Sequence, residues 1–276
     1  MNTPTDPTRP APAPTPTLLR PALAGVETWA WPRWVAHRGA GKLAPENTLA
    51  AFRVGAGHGF RAFECDVKLS ADGLPFLLHD ATLDRTCNAQ GLAGERPWAE
   101  LARLDAGCWH SRGYAGEPLP SLDAIARFCL ANGYALNLEI KPTPGDDERT
   151  GRVVAHEVQR LWGAAVAAGH ATWPLLSSFN PDALAPARAA APGLPLALLV
   201  DAWWPGWQDV VQALGCVACV FNHTLVSDAA FIQHQHAQGL RLLVYTVNQP
   251  ERAAELLSWG LDGVITDAVD VMTPAR

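Results

Sequence analysis

Short apolar segments alternate with helix-like segments along the chain from Trp34 onward. This alternation is typical of a sheet of parallel strands joined by helices. It predicts nine strands, at residues 34–37, 62–69, 75–79, 135–140, 174–178, 196–200, 217–221, 240–246 and 263–266.

The third predicted strand, 75–79, does not fit a parallel connection. Only residues 70–74 separate it from the strand before it, and they contain Asp72-Gly73, a common hairpin turn. A parallel crossover needs about a dozen residues or more. We therefore expect this segment to return antiparallel, as the arm of a β-hairpin.

The eight remaining strands, with helices between them, predict an α/β fold of the (β/α)₈ TIM-barrel type. An open, doubly wound sheet is the alternative. Residues 80–120 break the alternation and are rich in Gly, Trp and charged residues, which predicts a small insertion after the hairpin arm. Residues 1–30 are rich in Pro and Thr and are expected to form a disordered tail, and residues 31–276 a single domain.

Composition narrows the class of protein. Hydrophobic residues make up 49% of the chain, enough for a substantial core. The net charge of -6 argues against nucleic acid as a partner, and no apolar run is long enough to span a bilayer. The N-terminal segment has no secretion signal, so we expect a cytoplasmic protein with reduced cysteines and no stable membrane association. Nothing in the sequence specifies an oligomeric state.

Acidic side chains lie on two of the predicted strands. Glu64 and Asp66 share one face because side chains alternate along a strand, and Glu139 lies on another apolar strand. The pair at 64 and 66 is either a solvated strand end with basic partners or a cation site, and Glu139 either pairs with Lys141 or joins that site. Three carboxylates without Cys or clustered His favour Mg²⁺ or Ca²⁺ over Zn²⁺.

Two histidines end predicted strands, and His37 lies at the barrel face where active sites are found. His37 precedes Arg38, whose guanidinium is suited to phosphate oxygens, and His79 ends the hairpin arm. Taken singly, each histidine is more often structural than catalytic. Their convergence with the acidic residues on strand ends is what favours an acid–base pair.

The ordered set of these motifs resembles the glycerophosphodiester phosphodiesterase family, especially its cytosolic bacterial members. The resemblance covers residues 34–273. The motifs that carry it are Val35-Ala36-His37-Arg38-Gly39, Ala44-Pro45-Glu46-Asn47-Thr48, Glu64-Cys65-Asp66-Val67, Leu78-His79-Asp80, Leu138-Glu139-Ile140-Lys141-Pro142, Ser177-Ser178-Phe179, Tyr245-Thr246-Val247-Asn248 and Asp262-Gly263-Val264-Ile265-Thr266-Asp267.

The resemblance implies a role for each candidate residue. It implies hydrolysis of a small glycerophosphodiester to sn-glycerol 3-phosphate and an alcohol, assisted by a divalent cation, Mg²⁺ or Ca²⁺. The alternatives are a lyase that releases a cyclic phosphate and a non-catalytic binding protein. The implied metal ligands are Glu64, Asp66 and Glu139, the implied acid–base pair is His37 and His79, and the implied phosphate-binding residues are Arg38 and Lys141.

Other conspicuous residues are interpreted as structural. Cys216 and Cys219 have CxxC spacing but lie in an apolar run, which favours buried thiols. The pair His234 and His236 is expected on a solvated helix surface. The tryptophans at 203, 204 and 207 either pack as a loop cluster or line the alcohol side of the substrate site.

Overall fold

The computed structural model of the protein describes residues 31–272 and residue 274. The predicted tail, residues 1–30, lies outside the described residues. No helix within them is both long and apolar enough to cross a bilayer.

Strands and helices alternate through this part of the chain, as the sequence predicts. The strands are β1 Trp34–Ala36, β2 Ala62–Leu69, β3 Pro75–Leu77, β4 Ala135–Ile140, β5 Leu175–Ser178, β6 Leu196–Val200, β7 Ala218–Asn222, β8 Arg241–Tyr245 and β9 Gly263–Thr266. The α-helices are α1 Leu49–Gly57, α2 Trp98–Leu101, α3 Leu122–Asn132, α4 Asp147–Ala167, α5 Pro181–Ala190, α6 Trp207–Ala213, α7 Ala229–Ala237 and α8 Pro250–Ser258.

Eight of the strands form a closed parallel barrel. Successive barrel strands pair in parallel from β2 and β4 through to β9, and β1 pairs with both β9 and β2. Closure brings Ala36 opposite Phe63 on one side and Thr266 on the other. The predicted (β/α)₈ barrel is confirmed, and the open-sheet alternative is excluded because β1 joins the two ends.

The hairpin arm also agrees with its prediction. β3 runs antiparallel to β2, with Leu77 opposite Val67, and Gly73 in the connecting turn has a left-handed φ of 84°. Three strands end earlier than predicted, β1 at Ala36, β3 at Leu77 and β8 at Tyr245. After β1 the cause is local, because Arg38 adopts a left-handed φ of 50° that turns the chain out of the sheet.

Alternating side chains divide the core into two main layers. One set fills the barrel, for example Val35, Leu199 and Ile265, and the other packs between the barrel and its helices, for example Phe52 and Cys65. Residues 80–120, between β3 and α3, contribute a third cluster that includes Leu83, Leu101 and Leu119. The insertion therefore has its own apolar contacts and packs on the hairpin arm.

The residues interpreted as structural are mostly placed as expected. Cys216 and Cys219 are buried and form no disulfide with any described residue. Trp203 contacts the rings of Trp207 and Phe231, which favours the loop-cluster interpretation. His234 is exposed on α7 as expected, whereas His236 is half-buried and its Nε2 lies 2.7 Å from Oδ2 of Asp262, just before β9.

Alanine substitutions at two glycines of α4 are expected to have opposite effects on stability. A Cβ at Gly151 would lie 2.0 Å from the carbonyl oxygen of Ala183 in α5, whereas a Cβ at Gly163 would find its nearest neighbour 3.8 Å away. We expect Gly151→Ala to lower the free energy of unfolding by about 2 kcal/mol through overpacking. Gly163→Ala should raise it by up to about 1 kcal/mol, because alanine is the better helix former.

Urea unfolding of both variants and the wild type measures this difference. If Gly151→Ala were as stable as Gly163→Ala, the close packing of α4 on α5 would be contradicted.

Candidate active site

Three buried carboxylates meet at the carboxyl ends of two adjacent barrel strands. Glu64 and Asp66 lie on β2, and Glu139 lies on β4 directly opposite Asp66 in the parallel register. One ligand oxygen from each lies within 4.8 Å of the other two. The alternation of side chains places two carboxylates on one face of β2. The neighbouring strand, β4, adds the third carboxylate of the cluster.

The three carboxylates perturb one another strongly. Burial, together with the charge of Asp66, raises the pKa of Glu64 to about 8 and that of Glu139 to about 7. For Asp66, burial is outweighed by the charges of Arg38 and Lys141, and its pKa falls to about 2. Without further positive charge, Glu64 and Glu139 therefore keep their protons to a higher pH than isolated carboxyl groups do.

The loop after β1 holds this cluster in place through one backbone amide and one side chain. The amide N–H of Arg38 donates to Glu64 Oε2 at 3.1 Å. Asn47, with a left-handed φ of 59°, donates from Nδ2 to Asp66 Oδ2 at 2.7 Å and accepts from the Asp66 amide at 3.0 Å. Two carboxylates are therefore oriented by the segment between β1 and α1.

Two cationic side chains lie close to the cluster. Arg38 Nη1 donates to Glu46 at 2.8 Å, and its Nε lies 3.4 Å from Asp66 while making no hydrogen bond. Lys141 Nζ donates to Glu139 at 3.0 Å and lies 3.6 Å from Asp66. Both cations thus face the space in front of the carboxylates.

His37 follows β1, and its imidazole is oriented by Asp267, which follows the last strand, β9. Its Nδ1 lies 2.6 Å from Asp267 Oδ1, and its Nε2 lies 3.7 Å from Glu64 Oε2. Burial disfavours the imidazolium, but the hydrogen bond to Asp267 and the charge of Glu64 outweigh it, so the pKa of His37 is raised. The Asp267 contact fixes Nδ1 as the donor and leaves Nε2 facing the site.

His79 repeats this arrangement on the other side. Its Nδ1 lies 2.7 Å from Asp80 Oδ1, and its Nε2 lies 2.7 Å from Lys141 Nζ, so Nε2 accepts from the ammonium. Burial lowers the pKa of His79 below its usual value. Arg85 donates hydrogen bonds to both Asp80 and Glu46. It therefore links the carboxylate that holds His79 to the carboxylate that holds Arg38.

Two cavities open beside these groups and share His37 and Arg38. The barrel cavity has a volume of about 180 Å³. Besides the two shared residues, its lining includes Glu64, Glu139, Lys141, His79, Phe179 and Tyr245. The insertion cavity, about 420 Å³, is lined by Gly41, Lys42, Glu46, Arg85, Trp109, His110 and Asp267.

All seven residues singled out in the sequence lie together at this face of the barrel. Six supporting residues were not singled out: Glu46, Asn47, Asp80, Arg85, Asp267 and Tyr245. Five of these six belong to the motifs of the family resemblance or follow a predicted strand directly. Their polar character at strand ends was the available signal, whereas Arg85 in the insertion had none.

The donor set fits a hard divalent cation. Carboxylate oxygens are the ligands that Mg²⁺ and Ca²⁺ prefer, and no cysteine lines the cavity. A dication would also relieve the repulsion that raises the pKa values of Glu64 and Glu139.

Comparison with known proteins agrees with this site. The model of the glycerophosphoryl diester phosphodiesterase family matches residues 37–271, and the chain belongs to this family. A glycerophosphodiester phosphodiesterase of Caldanaerobacter subterraneus is 29% identical over 240 residues, which is 84% of this chain and 93% of the relative. The predicted family and enzyme class are confirmed.

Solved structures show the same fold. A phosphodiesterase from Oleispira antarctica, in complex with the product sn-glycerol-3-phosphate, has a TM-score of 0.78 and 33% identity, and the match covers 88% of this chain and 95% of that one. A glycerophosphodiester phosphodiesterase from Agrobacterium tumefaciens has a TM-score of 0.72 and 26% identity, over 87% and 98% of the two chains.

The backbone and side chain of Asn47 should make separable contributions to stability. Asn47→Gly and Asn47→Ala both remove the two hydrogen bonds to buried Asp66, which we expect to cost about 2 kcal/mol. Alanine should cost about 1 kcal/mol more, because only glycine adopts the left-handed conformation freely. Denaturant unfolding of both variants measures the difference, and equal stability would show that the backbone conformation at Asn47 imposes no constraint.

Proposed function

We propose that this protein hydrolyses glycerophosphodiesters to sn-glycerol 3-phosphate and an alcohol, with a divalent cation and two histidines. The observation that carries the proposal is a cluster of three carboxylates, two of which line one cavity together with two imidazoles and two cationic side chains. The family match and the product bound to the Oleispira antarctica relative support the same reaction.

The cation site in this proposal consists of Glu64, Asp66 and Glu139. Mg²⁺ or Ca²⁺ bound there would supply a positive charge that neutralises the phosphate oxygens as charge shifts in the transition state. Arg38 and Lys141 add fixed positive charges close to the cluster. Their hydrogen bonds to Glu46 and Glu139 hold both side chains extended toward the cavity.

The two histidines divide the proton transfers. An aspartate holds the Nδ1 of each histidine, which leaves His37 Nε2 near Glu64 and His79 Nε2 in contact with Lys141 at the cavity. One Nε2 takes the proton of the glycerol 2-hydroxyl, which attacks the phosphorus and forms a cyclic phosphate. The other gives its proton to the leaving alcohol, and water then opens the ring. The internal attack has an effective concentration on the order of 10⁵ M or more in favourable geometry.

A coupled assay for glycerol 3-phosphate, run with and without a chelator, tests the proposed function. We expect turnover that disappears with chelator and returns with Mg²⁺ or Ca²⁺. Phosphorus NMR of the products adds a second criterion. Cyclic phosphate as the final product would indicate a lyase, and the absence of chelator-sensitive turnover would indicate a binding protein.

Substitution of either histidine should abolish most of the activity. We expect His37→Ala and His79→Ala each to lower kcat by roughly 10² or more, because each removes one proton-transfer group. His234→Ala, on the exposed surface of α7, is the matched control and should retain full activity. Near-normal turnover of either active-site variant would remove that histidine from the mechanism.

The acidic cluster should also be detectable without turnover. We expect millimolar Mg²⁺ or Ca²⁺ to raise the melting temperature of the wild type, because an ion that binds only the folded state stabilises it. Glu64→Gln should lose most of that shift, whereas Glu251→Gln, at an exposed helix start, should keep it. An undiminished shift in Glu64→Gln would place the cation elsewhere.

A further inference from the structure

A fully buried lysine, Lys68, lies next to the acidic cluster. It follows Asp66 by one side-chain repeat on the same face of β2 and is 0% exposed. Lysine is almost never buried completely unless a carboxylate pairs with it. Within residues 31–272, however, Lys68 forms no ion pair, and both acceptors of its ammonium are backbone carbonyl oxygens. Its position therefore depends on two segments of main chain.

The ammonium of Lys68 connects the two segments that flank β2. Its Nζ donates at 3.3 Å to the carbonyl oxygen of His79, just after the hairpin arm, and at 3.1 Å to that of Lys141, directly after β4. Both residues lie just beyond the last positions of β3 and β4 that pair with β2. Lys68 therefore holds the two segments together where strand pairing ends and where their side chains enter the active site.

His79 depends on this connection more than Lys141 does. Lys141 continues directly from β4, and its ammonium also donates to Glu139 on that strand. Asp80, which holds His79 Nδ1, is the next residue of the chain and therefore moves with His79. Two lysines join His79 to the barrel strands: Lys68 contacts its carbonyl oxygen, and Lys141 Nζ lies 2.7 Å from its Nε2.

We propose that Lys68 is a positioning residue for His79. It holds the carbonyl oxygens of His79 and Lys141 close together, and this sets the distance from His79 Nε2 to Lys141 Nζ. The inference rests on the proposed function, in which His79 Nε2 transfers a proton. A shift of about 1 Å at such an atom is enough to lower a rate about 10²-fold. Without the ammonium, both carbonyl oxygens would lose a donor, and the segment after the hairpin arm would lose this connection to β4.

Lys68→Met tests this role, because methionine keeps a long unbranched side chain but cannot donate a hydrogen bond. In the glycerol 3-phosphate assay we expect kcat to fall about tenfold to a hundredfold, with KM changed less than about threefold, since the loss is in the transition state. Lys68→Gln, which is shorter but still polar, should lower kcat in the same direction and replaces Lys68→Met if that variant does not fold. Gly151→Ala is the matched control for lost stability, and its kcat should equal that of the wild type.

A double-mutant cycle with His79 separates positioning from a general loss of stability. In a His79→Ala background, Lys68→Met should lower kcat by less than about threefold, because the imidazole that Lys68 positions is already absent. A substitution that merely weakens the fold would cause the same relative loss in both backgrounds. An equal loss in both backgrounds, or an unchanged kcat in the single variant, would overturn the positioning role.

Nitrogen-15 NMR of the histidine rings gives a readout that needs no turnover. The Nε2 resonance of His79, which depends on the contact with Lys141 Nζ, should shift in Lys68→Met, while that of His37 should not. An unchanged His79 resonance would also overturn the positioning role. If the wild type hydrolyses no glycerophosphodiester but the His79 resonance still shifts, the proposed function fails and the role of Lys68 in holding His79 stands.

Discussion

Repulsion among three buried carboxylates is the constraint around which this structure is arranged. Glu64, Asp66 and Glu139 have ligand oxygens within 4.8 Å of one another, and two of the three have pKa values raised to about 7 and 8. Burying like charges so closely costs free energy unless positive charge compensates. The surrounding groups supply part of that compensation, from Arg38, Lys141 and backbone or amide N–H donors. A divalent cation bound by the three carboxylates would supply the remainder.

The barrel makes this arrangement possible because it brings distant segments of chain to one face. The β1–β9 pairing places Asp267 beside His37, although 230 residues separate them, and the β2–β4 pairing places Glu139 beside Asp66. An aspartate holds the Nδ1 of each histidine. Arg85 links Asp80, which holds His79, to Glu46, which holds Arg38. The positions of the two imidazoles therefore depend on ionic contacts that cross several loops.

The sequence predicted the strands and the acidic face well, for physical reasons. Apolar runs of strand length and the two-residue period locate Glu64 and Asp66 without knowledge of their neighbours. The hairpin followed from the short turn at Asp72-Gly73. The pairing of His37 with Asp267, or of Arg85 with Glu46, could not be predicted, because these contacts depend on how loops close over the barrel. The contact of His236 with Asp262 was not predictable for the same reason, since Asp262 approaches it from a different part of the chain.

Anomalous diffraction from crystals soaked in Mn²⁺, a redox-stable stand-in for Mg²⁺, is the most direct measurement of the central claim. The account predicts one strong peak about 2.0–2.4 Å from oxygens of Glu64, Asp66 and Glu139, between the Nε2 atoms of His37 and His79. A peak elsewhere, with the three carboxylates instead neutralised by Arg38 and Lys141 alone, would contradict it.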